Sequence, residues 1–258
     1  MTEAANSNGG VSGRLIVLIP SLARDNSDFD VLAELLQKQG YQVLCPQPYG
    51  LDFTDTQTDN ETLFDLAGDV ALLIEQQQLG PALVAGHAFG NWVARALATR
   101  YPGCVSGIAL LAAAPKGPID PELRNGINCC LDDRRSEAER LEALSKVYFA
   151  PGNDPSVWLY GWHPELARRQ RLTASNTVEE WWCAGVAPIL DVQARGDVFL
   201  PSVPHLGLQR ELGDRVAVHV IEDAGHALIP EQPQAVADAL TAFAETAMAC
   251  SGSRDRYQ

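Results

Sequence analysis

No apolar run in the chain approaches the roughly 20 residues that a helix needs to cross a bilayer, so nothing in it reads as a membrane span. Basic residues are scarce as well: 19 Lys and Arg stand against 33 Asp and Glu, a formal charge of −14. No basic stripe exists to release counterions from a phosphate backbone, which excludes nucleic acid as the expected partner. The six cysteines (Cys45, Cys104, Cys129, Cys130, Cys183 and Cys250) form no C-x-x-C pattern and have no histidine at metal-ligand spacing. They read as free thiols of a reducing cytoplasm, and neither a disulfide framework nor a metal site is expected. Also missing are internal repeats, low-complexity tracts and a Gly-rich phosphate loop, so no cofactor is expected. Residues 1–13 lack the basic-then-apolar order of a secretory signal and are expected to form a disordered lead-in.

What remains is an ordinary globular composition, with 46% apolar and 20% charged residues over a length that one domain with an insertion can use. Leu15 to Ile19 is a continuous β-branched run, as expected for a strand covered on both faces. Asp28 to Gln39 carries Phe29, Leu32, Leu35 and Leu36 at helical spacing and ends at Gly40. Strand Tyr41 to Cys45, a Pro/Gly/Asp-rich connection over 46–60 and a helix from Glu61 to Gln77 follow. Strands are then expected over Ala82 to Ala85 and Ser106 to Leu111, separated by a helical segment from Trp92 to Tyr101. Such alternation predicts an α/β fold, a mostly parallel doubly wound sheet. From residue 116 to 185 the pattern turns helical and aromatic-rich, which predicts an inserted helical cap; Ser136 and Glu139 form a capping-box pair there. The core is thus expected over 14–115 and 186–249. Strands Ile189 to Val192 and Val216 to Val220, a helix from Gln234 to Met248 and a polar tail over 250–258 complete it.

The chain is organised around Gly86-His87-Ala88-Phe89-Gly90, which falls between a strand and a helix. Strand, sharp turn and helix is the setting in which G-x-S-x-G exposes a nucleophilic serine. Two glycines allow the close approach, but the central residue is Ala88. Downstream, Asp197 follows a strand in Gly196-Asp197, and His226 follows the last strand in Gly225-His226, where Gly225 is expected to let the loop bend the imidazole over the sheet edge. A carboxylate on one imidazole nitrogen fixes the tautomer and leaves the other as a base near neutral pH. Asp191, Glu222 and Asp223 are weaker candidates for the acid. Backbone N–H groups of Phe89 and Leu22 are placed to form an oxyanion hole. Ser21 is either a turn serine or a donor to substrate, and His87 either supports the turn or borders the pocket. Trp158, Trp162 and Trp182 either line a substrate pocket or form the small core of the cap. His163, His205 and His219 read as surface or cap packing.

The ordered set Gly86-His87-Ala88-Phe89-Gly90, Gly196-Asp197 and Gly225-His226 resembles the α/β-hydrolase superfamily, in particular its capped bacterial small-molecule members, over Leu15 to Met248. The resemblance implies Asp197 and His226 as acid and base, Phe89 and Leu22 as oxyanion donors, and position 88 as the nucleophile position. Two explanations of Ala88 stay open: an installed Ser→Ala change, or a native alanine in an enzyme in which the His–Asp pair acts on water or on the substrate. The expected function is therefore a hydrolase acting on a small, largely apolar ester, lactone or related carbonyl compound. A non-catalytic small-molecule binding protein on the same scaffold, or a lyase or cofactor-free enzyme, is the alternative. The expected setting is a cytoplasmic monomer or homodimer whose partner is a small-molecule substrate.

Overall fold

A computed structural model describes residues 14–48, 61–113, 116–173 and 176–254, the last eight as backbone. The expected lead-in, most of the 46–60 connection, Ala114-Pro115 and the end of the expected tail lie outside the described residues. In chain order the sheet and its helices are β1 (Leu15–Ile19), α1 (Asp30–Lys38), β2 (Gln42–Leu44), α2 (Leu63–Gln77), β3 (Ala82–His87), α3 (Phe89–Arg100) and β4 (Val105–Leu111). Helices α4 (Pro121–Leu131), α5 (Glu137–Val147), α6 (Pro164–Thr173) and α7 (Val178–Trp181) come next. The chain then returns to β5 (Ile189–Ala194), α8 (Gly207–Leu212), β6 (Val216–Ile221), α9 (Leu228–Glu231) and α10 (Pro233–Arg254).

All strand pairs are parallel, in the order β2-β1-β3-β4-β5-β6. Strand side chains alternate between faces. Leu15, Val17, Ile19 and Val84 therefore pack with α2 and α3, while Ile16, Leu18, Leu83 and Ala85 pack with α1 and α10. With both faces covered, β1 and the bodies of β3 and β4 read as nearly unbroken apolar runs, whereas β5 carries Asp191 and Gln193 toward the α3 side. The edge strand β6 instead alternates buried ends with exposed Ala217 and His219. The chain leaves β1 to one side for β2 and leaves β3 to the other side for β4, so the carboxyl ends of β1 and β3 form the switch point where open α/β sheets place their ligands.

Two helix starts follow from local chemistry. Thr62 and Asp65 close a capping box on α2, and Ser136 and Glu139 close the expected one on α5. The helix after the turn begins at Phe89, three residues earlier than the apolar period indicated, because the elbow itself is its first turn. The final helix continues to Arg254, through the start of the segment expected to be a polar tail. Helical backbone hydrogen bonds form whether or not an apolar face continues, so apolar periodicity understates the helix end. Within 116–185 the helices gather Ile127, Leu144, Val147, Tyr148, Phe149 and Trp158 into a cluster of their own over Ala23 and Ala227. Trp181, Trp182 and Ala184, at the end of that segment, pack instead into the core with α3.

Candidate active site

The turn between β3 and α3 has no room for side chains. A Cβ on Gly86 would collide with the Gly90 carbonyl, and one on Gly90 with the carbonyl of Ile19. Ala88 between them holds φ 46° and ψ −108°, a conformation that L residues adopt only when their surroundings impose it. Its N–H donates to the Leu111 carbonyl at 3.0 Å, and its carbonyl accepts from the Asn91 backbone at 3.1 Å and from the Asn91 side chain. The neighbours Gly86, His87, Phe89 and Gly90 are buried, yet Ala88 is partly exposed. Its methyl group thus occupies the place that an elbow would give to a reactive oxygen.

Asp197 and His226 meet across two loops. His226 Nδ1 lies 3.0 Å from Asp197 Oδ2, with the residues 6% and 5% exposed. The acceptor carboxylate fixes the proton on Nδ1. The other ring nitrogen, Nε2, has no hydrogen-bond partner among the described residues and is not sealed from solvent. The weaker acid candidates sit elsewhere: Glu222 pairs with Arg195 at 2.7 Å, Asp223 offers its carbonyl to Asn153, and Asp191 lies on β5.

Several groups that hold this pair were not among the residues singled out from the sequence. Glu231, on α9, accepts the Gly225 N–H through Oε2 and the Ala150 N–H through Oε1, each at 2.7 Å, and ties the histidine loop to the helical segment. Gly225 is required there for close approach rather than for bending, because its φ is not left-handed and a Cβ would stand 2.6 Å from the Tyr148 carbonyl. Phe199 and Tyr148 pack on the His226 ring at 4.4 Å and 5.7 Å between centroids. The Glu231 contact could have been sought from an acid a helical turn beyond His226; the aromatic contacts had no comparable signal.

His87 joins the same group. Its Nε2 lies 2.8 Å from the His226 carbonyl, and since a carbonyl only accepts, that nitrogen carries the proton. Burial, with the neighbouring His226 second, pushes its pKa down to about 3, so the ring stays neutral. Nδ1 is then a bare lone pair, buried without a partner.

Leu22 and Phe89 stand at the carboxyl end of β1 and the first position of α3. The first N–H groups of a helix have no acceptor within it, and the Leu22 N–H meets no backbone or side-chain acceptor among the described residues. The loop that carries Ser21 and Leu22 is pinned from the helical side. Ala23 donates to Gln170 Oε1 at 2.7 Å, and Asp25 meets His163 Nε2 at 2.9 Å. The Arg24 guanidinium lies against both Trp158 and Trp162, at 4.7 and 4.8 Å from their ring centroids, and forks onto Asp28 through Nε at 2.8 Å and through its second terminal nitrogen. Burial raises the Asp28 pKa against the opposing pull of that pair. Trp158 also touches the His87 ring at 5.8 Å, whereas Trp182 is not brought here and faces a separate cavity behind α3. Ser21 is buried beside the elbow.

A mostly apolar cavity of about 350 Å³ opens beside Phe89, lined by Pro20, Val93, Leu66, Val70 and Gln170 among others, without Leu22 in its wall. Ala88 and His226 are not in its wall. A model of the alpha/beta hydrolase family matches residues 16–239. The chain belongs to that family. Among solved structures it is similar to an esterase of the thermophile Thermogutta terrifontis, with 21% identity, TM-score 0.72 and coverage of 92% of this chain and 91% of that one. It is likewise similar to a carboxylesterase of the thaumarchaeon Nitrososphaera gargenis at 20% identity and TM-score 0.72, covering 93% of both chains. The BpoC protein of Mycobacterium tuberculosis H37Rv matches at 23% identity and TM-score 0.72, over 92% of this chain and 93% of that one. No curated protein matches the sequence significantly. Identities this low speak for the fold. Among the described residues no helix is long and apolar enough to cross a membrane, and no group of His, Cys, Asp and Glu is arranged to hold a metal ion.

Proposed function

We propose that this alpha/beta hydrolase acts on a small, largely apolar ester, lactone or related carbonyl compound with water, rather than a side-chain oxygen, as nucleophile. The contact of 3.0 Å between His226 Nδ1 and Asp197 carries the reading, because it leaves Nε2 as an unengaged base on a ring that packs 5.5 Å from that of His87, the neighbour of the partly exposed Ala88. In this scheme Nε2 takes a proton from water as the water oxygen bonds to the carbonyl carbon. The developing oxyanion is held by the Leu22 and Phe89 N–H groups. Collapse of the tetrahedral adduct breaks the bond to the leaving oxygen, which receives the proton from Nε2. No acyl-enzyme forms, since residue 88 has no oxygen to carry the acyl group. The cavity of about 350 Å³ receives the apolar body of the substrate, with the helices of residues 116–185 as its cap. Retention of a strained elbow fits this scheme, since the same turn that would expose a serine aims the Phe89 N–H.

The test is an ester and lactone panel run on the protein, on His226→Ala and on Ala88→Ser, with mass spectrometry for trapped adducts. Turnover without an acylated intermediate, reduced about a hundredfold or more in His226→Ala, is the expected result. Turnover confined to Ala88→Ser would instead make this a serine hydrolase that lacks its nucleophile. Ligand binding without turnover in all three would make it a binding protein.

A further inference from the structure

Behind α3, on the side of the sheet away from α1 and α10, lies a second cavity of about 290 Å³ whose wall includes Arg95, Asp191, Trp182, Lys116, Leu200 and Leu208. None of Ala88, Asp197 and His226 lines it. Arg95 is 1% exposed, but among the described residues no carboxylate comes within ion-pair distance of it. Two of its donors are spent, on Asn91 Oδ1 at 3.2 Å and on the Trp182 carbonyl. Asp191 is 5% exposed and, among the described residues, has a single hydrogen bond, from Gln193 Nε2 at 2.8 Å, and no cation within ion-pair distance. The Gln193 amide cannot do more, since it also bonds both backbone groups of His205.

A buried charge is ordinarily paired, because the cost of removing it from water is otherwise uncompensated. Here a guanidinium and a carboxylate of opposite sign face one cavity without touching each other. Their unspent donors and acceptors are not sealed in protein. Burial pushes Arg95 down to about 10 and Asp191 up to about 6, as expected of charges that lack full compensation. The mouth is already neutral: Lys116 and Glu211 pair at 3.1 Å, and Glu211 also accepts the Trp182 indole N–H at 2.8 Å. An anion alone would answer Arg95 and leave Asp191 unpaired; a cation alone would do the reverse. Only a molecule with both charges completes the pair, while Trp182, Leu200 and Leu208 provide an apolar wall for its remainder. A volume of about 290 Å³ falls at the small end of ligand sites.

We infer that this cavity binds a small zwitterion of amino-acid type, its carboxylate on Arg95 and its ammonium on Asp191. The site is independent of the reaction proposed above. It reaches the elbow through one residue, Asn91, whose Oδ1 accepts from Arg95 and whose amide nitrogen donates to the Ala88 carbonyl.

The test follows the Trp182 indole N–H and the Arg95 Nε–H by ¹⁵N NMR of the full chain, with Trp182→Phe used for assignment. Glycine, β-alanine and L-leucine are titrated, with acetate and methylammonium as single-charge controls. At least one amino acid should give saturable shifts at both signals, with an affinity about tenfold or more above either control and about tenfold or more weaker in Asp191→Asn. That variant keeps the side-chain shape, so it separates loss of charge from loss of fold; Arg95→Lys gives the complementary measurement where it folds. Absence of saturable shifts with all three amino acids, acetate binding as tightly as they do, or equal affinity in Asp191→Asn would overturn the proposal.

Discussion

Asp197 and His226 are buried and in contact, 3.0 Å apart at the sheet's carboxyl edge. Asp191 on β5 and Arg95 on α3 are as deeply buried, face a common cavity, and do not touch. The first pair satisfies itself and leaves one nitrogen free, so its chemistry points outward from a completed unit. In the second, each group remains without a counter-charge, so that site is completed only by something that enters it. Burial is common to both; what differs is whether the partner comes from the chain.

That contrast can be broken from either side. Asp197→Asn removes the charge that orients and supports the imidazole and should lower turnover of a cognate carbonyl substrate about a thousandfold or more with the fold intact, measured by kcat and circular dichroism. Arg95→Ala should cost about 2–5 kcal/mol in urea unfolding, since it empties a buried side-chain volume, strips the contact with the Trp182 ring and leaves the Trp182 carbonyl and Asn91 Oδ1 without their donor. Asp197→Asn should cost much less stability, so the two substitutions separate a working pair from a supporting charge.

His87 sharpens the comparison through pH. Burial lowers its pKa from the ordinary 6.5 of an imidazole to about 3 in the folded chain. The unfolded state therefore binds the extra proton across that window, and the stabilising contribution, present above about 6.5, is lost as pH falls towards 3. His87→Asn should flatten the rise of unfolding free energy between pH 3 and 6.5 by up to one proton, read from urea titrations at stepped pH. An unchanged slope would mean that the buried ring is not held neutral. The smallest effect is expected at the elbow: Ala88→Gly should relieve positive-φ strain by about 1 kcal/mol, seen as a raised Tm.

Much of this was legible in residues alone. Leu15 to Ile19 announced a two-faced strand because both faces are covered, and Ser136 with Glu139 announced a helix start because that capping bond is local. Gly86 and Gly90 marked the elbow because no Cβ fits there, and the order of elbow, Asp197 and His226 marked the corner where they meet. Phe89 was harder: the first turn of α3 carries no apolar period, so the helix seemed in sequence to begin at Trp92. The grip of Glu231 on the Gly225 loop had only the weak signal of an acid shortly beyond His226, and the contact of Arg24 with the Trp158 and Trp162 rings and the separation of Trp182 from both were not legible.

The sequence by itself determined the alternation of strands and helices, the glycine-flanked turn with its alanine, and an Asp and a His each placed just after a strand. These depend on local sterics, on backbone periodicity and on order along the chain. Only the tertiary structure decided that Asp197 reaches His226 while Asp191 misses Arg95. Residues 29 apart in the first pair and 96 apart in the second are placed by sheet register and helix packing, and a shift of a few ångströms separates a paired buried charge from an open one.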